Sequence, residues 1–481
     1  MGNEGKFYIG GRWVEPAGTG ADIIVVNPAT EEVVGRVAAG SAADVDAAVS
    51  SAHLAFDSFS RTTREERLAL LGRVLAAYKR RSLEIAAAMT TEVGIPKKFS
   101  ERVQARIGEW HLETAIKVLS DYQFEEEWGT TRIIREPIGV CAMLAPWNWP
   151  MNQIMVKVAP ALAAGCTMVL KPSQLSPLSA LLFAEAVDEA GVPAGVFNLV
   201  NGVGSTLGGT LAGHPLVDMV SVTASTEVGA AVAREAAGAI KRVSQELGGK
   251  SANILLDDHN LDENVTGGLK ACMRNSGQSC NAPTRMLVHE SFYEEAVALA
   301  ARVADGLLVG DPRSTETFMG PVAGKKQFDT VRAYISTGIA EGARLAAGGL
   351  DRPMGLDRGY YVRPTVFADV RNDMRIAQEE IFGPVLCMIS YRDEEEAIAI
   401  ANASRYGLSG YVHSADLERA RRVARRMRTG MVHVNGANTD MAAPFGGYKQ
   451  SGNGREWGRF GLEEYLEVKA VMGYRHPEIP D

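Results

Sequence analysis

Residues 140–171 read VCAMLAPWNWPMNQIMVKVAPALAAGCTMVLK, and this stretch decides the fold class. Val140–Ala145 is an apolar run of strand length, and Pro146-Trp-Asn-Trp-Pro150 is a rigid aromatic turn. Gln153–Ala163 carries apolar residues at helical spacing, and Thr167–Lys171 is a second apolar run. Strand, helix and strand in that order make a βαβ unit with strands buried on both faces. The alternation continues downstream. Strands are expected at Val196–Val200, Met219–Val222 and Val243–Leu247, with helices at Leu178–Glu189, Ser205–Ala212 and Val228–Ala237. Open parallel sheets bind ligands beyond the carboxyl ends of their strands. Asn148, Lys171, Ser225 and Glu246 fall there.

A second alternation runs from Ser251 to about Met431, with strands at Ala252–Leu255, Thr284–Val288 and Val385–Tyr391. Upstream, Phe7 to Val37 reads as β-hairpins broken by Gly-Gly and Asn-Pro turns. Ser41-Ala-Ala-Asp44 is a capping box that opens a helix, and Thr62 to Glu65 repeats the device before Leu68, Leu71, Leu75 and Tyr78. Thr130–Glu136 and Glu463–Met472 read as exposed strands, whose edges invite pairing with another copy of the chain.

Composition excludes several functions. The 50 basic and 58 acidic residues give a net charge of −8, with no basic stripe to track a phosphate backbone, so nucleic acid is not an expected partner. The Arg419–Arg428 cluster is spaced like the wet face of one helix. The five cysteines, Cys141, Cys166, Cys272, Cys280 and Cys387, form no CxxC and have no histidine at metal spacing. This argues against a disulfide framework and a metal site, and for reduced thiols in a cytoplasmic setting. No signal-peptide pattern or membrane-length apolar window is present, so a soluble protein is expected.

Three residues stand out chemically. Cys280 lies among small and polar neighbours in Asn275-Ser-Gly-Gln-Ser-Cys280-Asn-Ala-Pro-Thr-Arg285, as a thiol on an accessible turn would. Most free cysteines are small buried hydrophobes, and a thiol of pKa about 8.5 needs activation at neutral pH. Glu246, at a strand end before two glycines, can face a cleft as a base or simply cap a helix. The Asn148 amide, between prolines, suits an oxyanion donor or an Asx turn. No GxGxxG follows the first strand of the α/β region, so the usual dinucleotide fingerprint is missing.

Together the segments resemble the NAD(P)-dependent aldehyde dehydrogenase superfamily along nearly the whole chain. The matching motifs are Pro146-Trp-Asn-Trp-Pro150, Lys171-Pro-Ser, Ser225-Thr-Glu-Val-Gly229, Glu246-Leu-Gly-Gly-Lys250 and Gly277-Gln-Ser-Cys280. Glu380-Ile-Phe-Gly-Pro384, Pro444-Phe-Gly-Gly-Tyr-Lys449 and Ser451-Gly-Asn-Gly-Arg-Glu456 follow in order. The resemblance implies an α/β fold of two doubly wound domains and a small β oligomerisation element. Residues 1–129 and 137–248 would bind the dinucleotide, 249–431 would form the catalytic domain, and 130–136 with 460–481 would supply oligomerisation strands in a homodimer or homotetramer.

It also implies roles. Cys280 attacks the aldehyde, Asn148 holds the oxyanion, Glu246 is the general base, and Lys157 and Glu456 relay protons. Pro146, Trp147, Lys171, Ser173, Gln174, Ser225, Gly229, Glu380 and Phe382 contact the cofactor, and Trp149, Gln153, Asn281 and Phe445 the substrate. The expected reaction oxidises an aldehyde to a carboxylic acid. Glu246 favours hydrolysis of the thioester over transfer to coenzyme A. A bacterial subgroup acting on aldehydes derived from long-chain or cyclic aliphatic compounds is the nearest likeness, with Trp149, Met151, Val156 and Phe445 as an apolar tunnel.

Two departures bear on the cofactor. Gln174 stands where an acidic residue usually follows Lys-Pro-Ser, and a neutral amide does not repel a 2′-phosphate. NADP is therefore expected to be accepted beside NAD, and even preferred. Ala224 stands where glycine usually lies near the phosphates, which is expected to weaken cofactor binding. The rival readings are a retired scaffold with a binding role, a thiol hydrolase and a coenzyme A acylating enzyme. Retention of Cys280, Glu246 and Asn148 argues against the first. The absence of a histidine from these motifs argues against the second.

Overall fold

The computed structural model describes residues 2–18, 22–256 and 260–475. The stretch that decided the fold forms the strand Val140–Leu144, buried along its length, the helix Pro150–Ala164 and the strand Thr167–Lys171. Pro150 occupies the first helical turn, where its missing N–H costs nothing, and Gly165 ends the helix in the left-handed conformation (φ 94°).

Five parallel strands run across the first sheet as Phe197–Leu199, Thr167–Lys171, Val140–Leu144, Met219–Thr223 and Arg242–Glu246. Strand order therefore reverses between Val140–Leu144 and Met219–Thr223, which opens a crevice at their carboxyl ends. The hairpin of Phe7–Ile9 and Arg12–Val14 closes one edge. The other edge is closed from far downstream, where Gly452–Asn453 pairs antiparallel with Gln245–Glu246.

The second sheet carries six parallel strands in the order Thr365–Ala368, Val385–Tyr391, Arg285–His289, Ala252–Leu255, Ser409–His413 and Met431–Val434. Arg344–Ala347 lies antiparallel at its edge. Ala252–Leu255 is the switch point here, and the Cys280 loop leads into its neighbour Arg285–His289. Two doubly wound α/β sheets and a small β element are thus the observed fold class.

Three expectations need correction. The second capping box is one residue later, Thr63 with Glu66, because the Thr62 hydroxyl donates to Phe59 O and completes the previous helix. The small sheet begins upstream of residue 130. Glu125–Trp128 pairs with Thr131–Pro137, the middle strand, which also pairs with Leu466–Val471. Residues 460–464 belong to the helix Gly458–Glu464, not to a strand, and 476–481 lie outside the described residues. The arginine-rich segment forms the helix Leu417–Arg426, with Ala420 and Val423 buried and Arg419, Arg421 and Arg426 paired to Glu394, Glu418 and Glu395. Among the described residues no helix is long and apolar enough to cross a membrane.

Candidate active site

The Cys280 loop is held by backbone geometry and by amides. Asn275, Ser276 and Gly277 all have positive φ (55°, 57° and 70°), unusual for the first two. A Cβ on Gly277 would strike Gly383 O, and one on Gly249 would strike Cys280 O, so the Cys280 loop packs directly on both backbones. Asn275 Nδ2 donates to Asn148 O at 2.8 Å and to Gln278 O at 3.2 Å, while Asn148 Nδ2 donates to Gln278 O at 3.1 Å. Trp149 Nε1 donates to Ser279 Oγ at 2.7 Å. Three of these side-chain bonds join the turn after Val140–Leu144 to the loop bearing the thiol, and the Asn275–Gln278 bond braces that loop internally. Burial pushes that thiol well up. The charges of Glu380 and Glu246 add to the effect, and the Asn281 backbone N–H partly offsets it.

An acidic pair lies nearby. Glu246 is 2% exposed, and neither carboxylate oxygen has a hydrogen-bond partner among the described residues. Its Oε1 faces Gly446, where an added Cβ would sit 2.6 Å away. Burial, then the neighbouring Glu456, hold its carboxyl well above the usual range. Glu456 instead accepts from the fully buried Lys157, whose Nζ lies 2.6 Å from Glu456 Oε1, 3.1 Å from Ser221 Oγ and 2.9 Å from Thr223 Oγ1.

The crevice of the first sheet collects most of the expected cofactor residues. Lys171, at the end of its strand, is buried and among the described residues its Nζ bonds only to Pro172 O, at 2.8 Å; burial lowers its pKa to about 8. Ser173 Oγ accepts from Leu175 N, and Gln174 is exposed. Ser225 caps the helix Thr226–Ala237 by accepting from Val228 N at 3.4 Å, and a Cβ on Gly229 would strike Leu247 at 2.5 Å. The Ala224 methyl packs against the apolar cluster beneath the sheet. Glu380 Oε1 accepts from Gly249 N at 3.0 Å, and burial raises its carboxyl to about 7. Half-buried Trp147 and Phe382 meet edge to face with centroids 5.5 Å apart, and half-buried Pro146 precedes them.

On the other side of Cys280 stands an apolar wall of Val156, Leu408, Phe445 and Trp457, with Cys280, Met431 and Met441 packed against it. Phe445 and Glu456 form a two-bond antiparallel bridge (2.9 and 2.7 Å), so one segment supplies both wall and acid. Trp149 packs edge to face on Phe99, Asn281 is half-buried and its carbonyl accepts from Tyr411, and Gln153 is buried. Met151 does not line the wall. It shares a core stripe with Ile154, Met155, Val158 and Leu162, whereas Val156 is on the other face of the same helix.

Sequence reasoning missed Asn275, Gln278 and Trp457. Trp457 has φ 70° and ψ 149°, a region costing a side-chain-bearing residue about 1–3 kcal/mol. Gly458 follows at φ 54°, where a Cβ would strike Ala442 O. Residue identity alone signals none of this; only the Gly-Arg-Glu-Trp-Gly context hints at a tight turn.

Fold and site define the class first: an α/β protein of two switch-point sheets, with a cysteine-bearing loop held at their junction. The sequence pattern of the aldehyde dehydrogenase family matches residues 13–471. A 3-succinoylsemialdehyde-pyridine dehydrogenase of a Pseudomonas species is 56% identical over 470 residues, covering 98% of each chain. A mutant aldehyde dehydrogenase C of Pseudomonas syringae, solved with NAD+ and octanal, has a TM-score of 0.98 at 52% identity, covering 99% of this chain and 98% of that one. An aldehyde dehydrogenase of Mycobacterium tuberculosis complexed with NAD+ gives a TM-score of 0.95 at 40% identity, with 99% of each chain covered. The chain belongs to the aldehyde dehydrogenase family.

Proposed function

We propose that the protein oxidises an apolar-bodied aldehyde to its carboxylic acid with NAD(P)+, using Cys280 as nucleophile and Glu246 as base. The observation that carries this reading is the Cys280 loop pinned to Asn148, with the unpartnered Glu246 carboxylate raising the pKa of the same thiol. Residues 1–129 and 137–248 then act as the dinucleotide-binding domain and 249–431 as the catalytic domain. The exposed strand Leu466–Val471 offers an edge for assembly into a homodimer or homotetramer.

The residues fit a dinucleotide. Lys171 is a buried ammonium without an acidic partner among the described residues, Ser225 heads a helix N-terminus, Gly229 sits on Leu247 with no room for a side chain, and Glu380 and Phe382 border the Cys280 loop. Lys171 with Ser173 and Gln174 would hold the adenosine ribose, Ser225 and Gly229 the pyrophosphate side, and Glu380, Phe382, Pro146 and Trp147 the nicotinamide side. When bound, the nicotinamide supplies a hydride acceptor.

The chain's own groups do the rest. The Cys280 thiolate adds to the carbonyl carbon, and the π pair moves to oxygen. Asn148 Nδ2–H and the Cys280 backbone N–H donate to that oxyanion. Loss of hydride from the thiohemiacetal carbon leaves a thioester on Cys280. Glu246, whose burial makes it a stronger base than an ordinary carboxylate, takes a proton from water as the water adds to the thioester. The acid leaves as the C–S bond breaks with its electron pair on sulfur, and the Cys280 thiolate is restored. Lys157 and Glu456 offer a buried route for the proton taken by Glu246.

Initial rates with aliphatic and aromatic aldehydes, each with NAD and NADP, test the reading beside Cys280→Ala. Nicotinamide reduction that vanishes in the variant supports it, and no reduction with any pair overturns it. Gln174 is expected to let NADP serve as well as or better than NAD. KM values more than about tenfold better for NAD would refute that preference.

A further inference from the structure

Asn275 is the hub of the Cys280 loop, and the group that sets its amide the right way round lies outside both sheets. A π turn, Ser100–Gln104, joins Lys97–Phe99 to the helix Ala105–Asp121, with Ala105 N donating to Ser100 O. Residues five apart on an α-helix project about 140° apart, and the i→i+5 bonding of a π turn narrows that angle. Phe99 and Gln104 accordingly reach the same loop. Phe99 packs edge to face on Trp149 (centroids 5.4 Å), whose indole donates to Ser279. Gln104 Nε2 donates to Asn275 Oδ1 at 3.1 Å, and both side chains are buried.

Gln104 Oε1 is buried without a hydrogen-bond partner among the described residues, so Asn275 is the one partner its amide has there. As packing, an amide in that state costs more than a methionine of similar volume. What it adds is a donor. Asn275 can present either end of its amide to a neighbour. Facing Gln104 with its oxygen, it aims Nδ2 at Asn148 O and Gln278 O. Turned over, it would set its oxygen against those two carbonyl oxygens and lose both bonds.

Resting on the dehydrogenase reading above, we propose that Gln104 is a positioning residue. Through Asn275 it fixes the Asn148 turn against the Cys280 loop, and with it the spacing of the Asn148 amide and the Cys280 backbone N–H that receive the oxyanion. It acts on the reaction through that amide and takes no part in the bond-making steps.

The test is the single-turnover rate of nicotinamide reduction across neutral pH, each variant divided by wild type at the same pH. Native titrations cancel in that ratio, including those of Cys280, Glu246 and the charged neighbours Glu101, Arg102 and Arg274. Gln104→Met removes the donor and is expected to lower the rate about tenfold at every pH, with cofactor Kd unchanged. Gln104→Glu keeps the shape and makes the donor titratable. Its neutral carboxyl donates O–H to Asn275 Oδ1, whereas its ionised form has only acceptors. Burial places that change above the usual carboxylate range, so the ratio should start close to one at about pH 6 and fall about tenfold by about pH 9. A ratio that stays flat over that range, or a Gln104→Met loss of less than about threefold, overturns the proposal. Where one variant does not fold the other decides, and failure of both to fold overturns it in favour of a purely structural residue. These results, with wild-type enzyme active, overturn this proposal alone, whereas no turnover of any aldehyde by wild-type enzyme overturns the dehydrogenase reading with it.

Discussion

Replacing Asn148 by alanine separates what its amide does for substrate from what it does for the loop. The amide has two N–H donors. One goes to Gln278 O at 3.1 Å, which leaves the other for a developing oxyanion. Truncation does not orphan the Gln278 carbonyl, because Asn275 Nδ2 also donates to it at 3.2 Å. The 2.8 Å bond from Asn275 to the backbone carbonyl of residue 148 involves no side-chain atom of that residue, so alanine retains it. The stability loss is then that of one neutral hydrogen bond, about 0.5–1.5 kcal/mol, or a melting shift of a few degrees. Loss of one oxyanion donor costs about 2.7–4 kcal/mol, which at about 1.36 kcal/mol per decade is two to three decades of rate. Asn148→Ala should therefore lower kcat for nicotinamide reduction about 10²–10³-fold while Tm and the rate of Cys280 alkylation hardly change. A fall of less than about tenfold would refute donation to the oxyanion. A large fall that slows alkylation equally would show instead that the loop had lost its shape.

Glu246→Gln removes a negative neighbour that helps push the Cys280 thiol up. The thiolate should therefore appear at lower pH in an iodoacetamide rate profile, while turnover shows a burst of reduced nicotinamide followed by slow deacylation; an unmoved profile would contradict the electrostatic account. Glu380, raised to about 7 by burial, is protonated below that pH and is the better acceptor above it. Cofactor Kd from fluorescence titration should tighten as pH rises through about 7 and lose that dependence in Glu380→Gln. Lys157→Met strands Glu456 without its cation at a fully buried site and should cost about 3–5 kcal/mol. Adding Glu456→Gln should restore more than half of this in denaturant midpoints, and additive losses would refute the pairing.

Much of the fold was legible because fully buried parallel strands are continuous apolar runs with polar punctuation. Thr167–Lys171, Ala252–Leu255 and Val385–Tyr391 occupy the residues expected. Helix starts came late, at Gln153 for Pro150 and Leu178 for Pro177, because apolar periodicity begins only after the first turn that proline opens. The tail was misread because Gly458–Glu464 is two turns long, too short for a helical period to outweigh its glycines. Met151 belongs to the core stripe 151, 154, 155, 158 and not to the wall, because apolarity alone does not tell one face of a helix from the other. Cys280, Glu246 and Asn148 were singled out from their local setting, and Lys157 with Glu456 only from family resemblance, since a pair 299 residues apart leaves no local trace. Trp457 leaves no trace in the sequence because what sets it apart is a backbone angle and its packing on Phe445, 12 residues away.

One late segment explains how these distant parts act together. Between Phe445 and Trp457 the chain bridges its own ends through Phe445 and Glu456, lays Gly452–Asn453 along the strand that carries Glu246, and sends Ser451 Oγ to Gly248 O at 2.7 Å. Gly446 faces the Glu246 carboxylate, Glu456 takes the Lys157 cation, and Phe445 with Trp457 builds the wall beside Cys280. The segment therefore ties the buried Glu246, Glu456 and Lys157 groups to the apolar wall packed against Cys280. The positive φ of Trp457 suits such a junction, because it is tolerable only where surrounding contacts over-determine it. Held that way, the indole stays against Phe445 while the preceding carboxylate stays on Lys157.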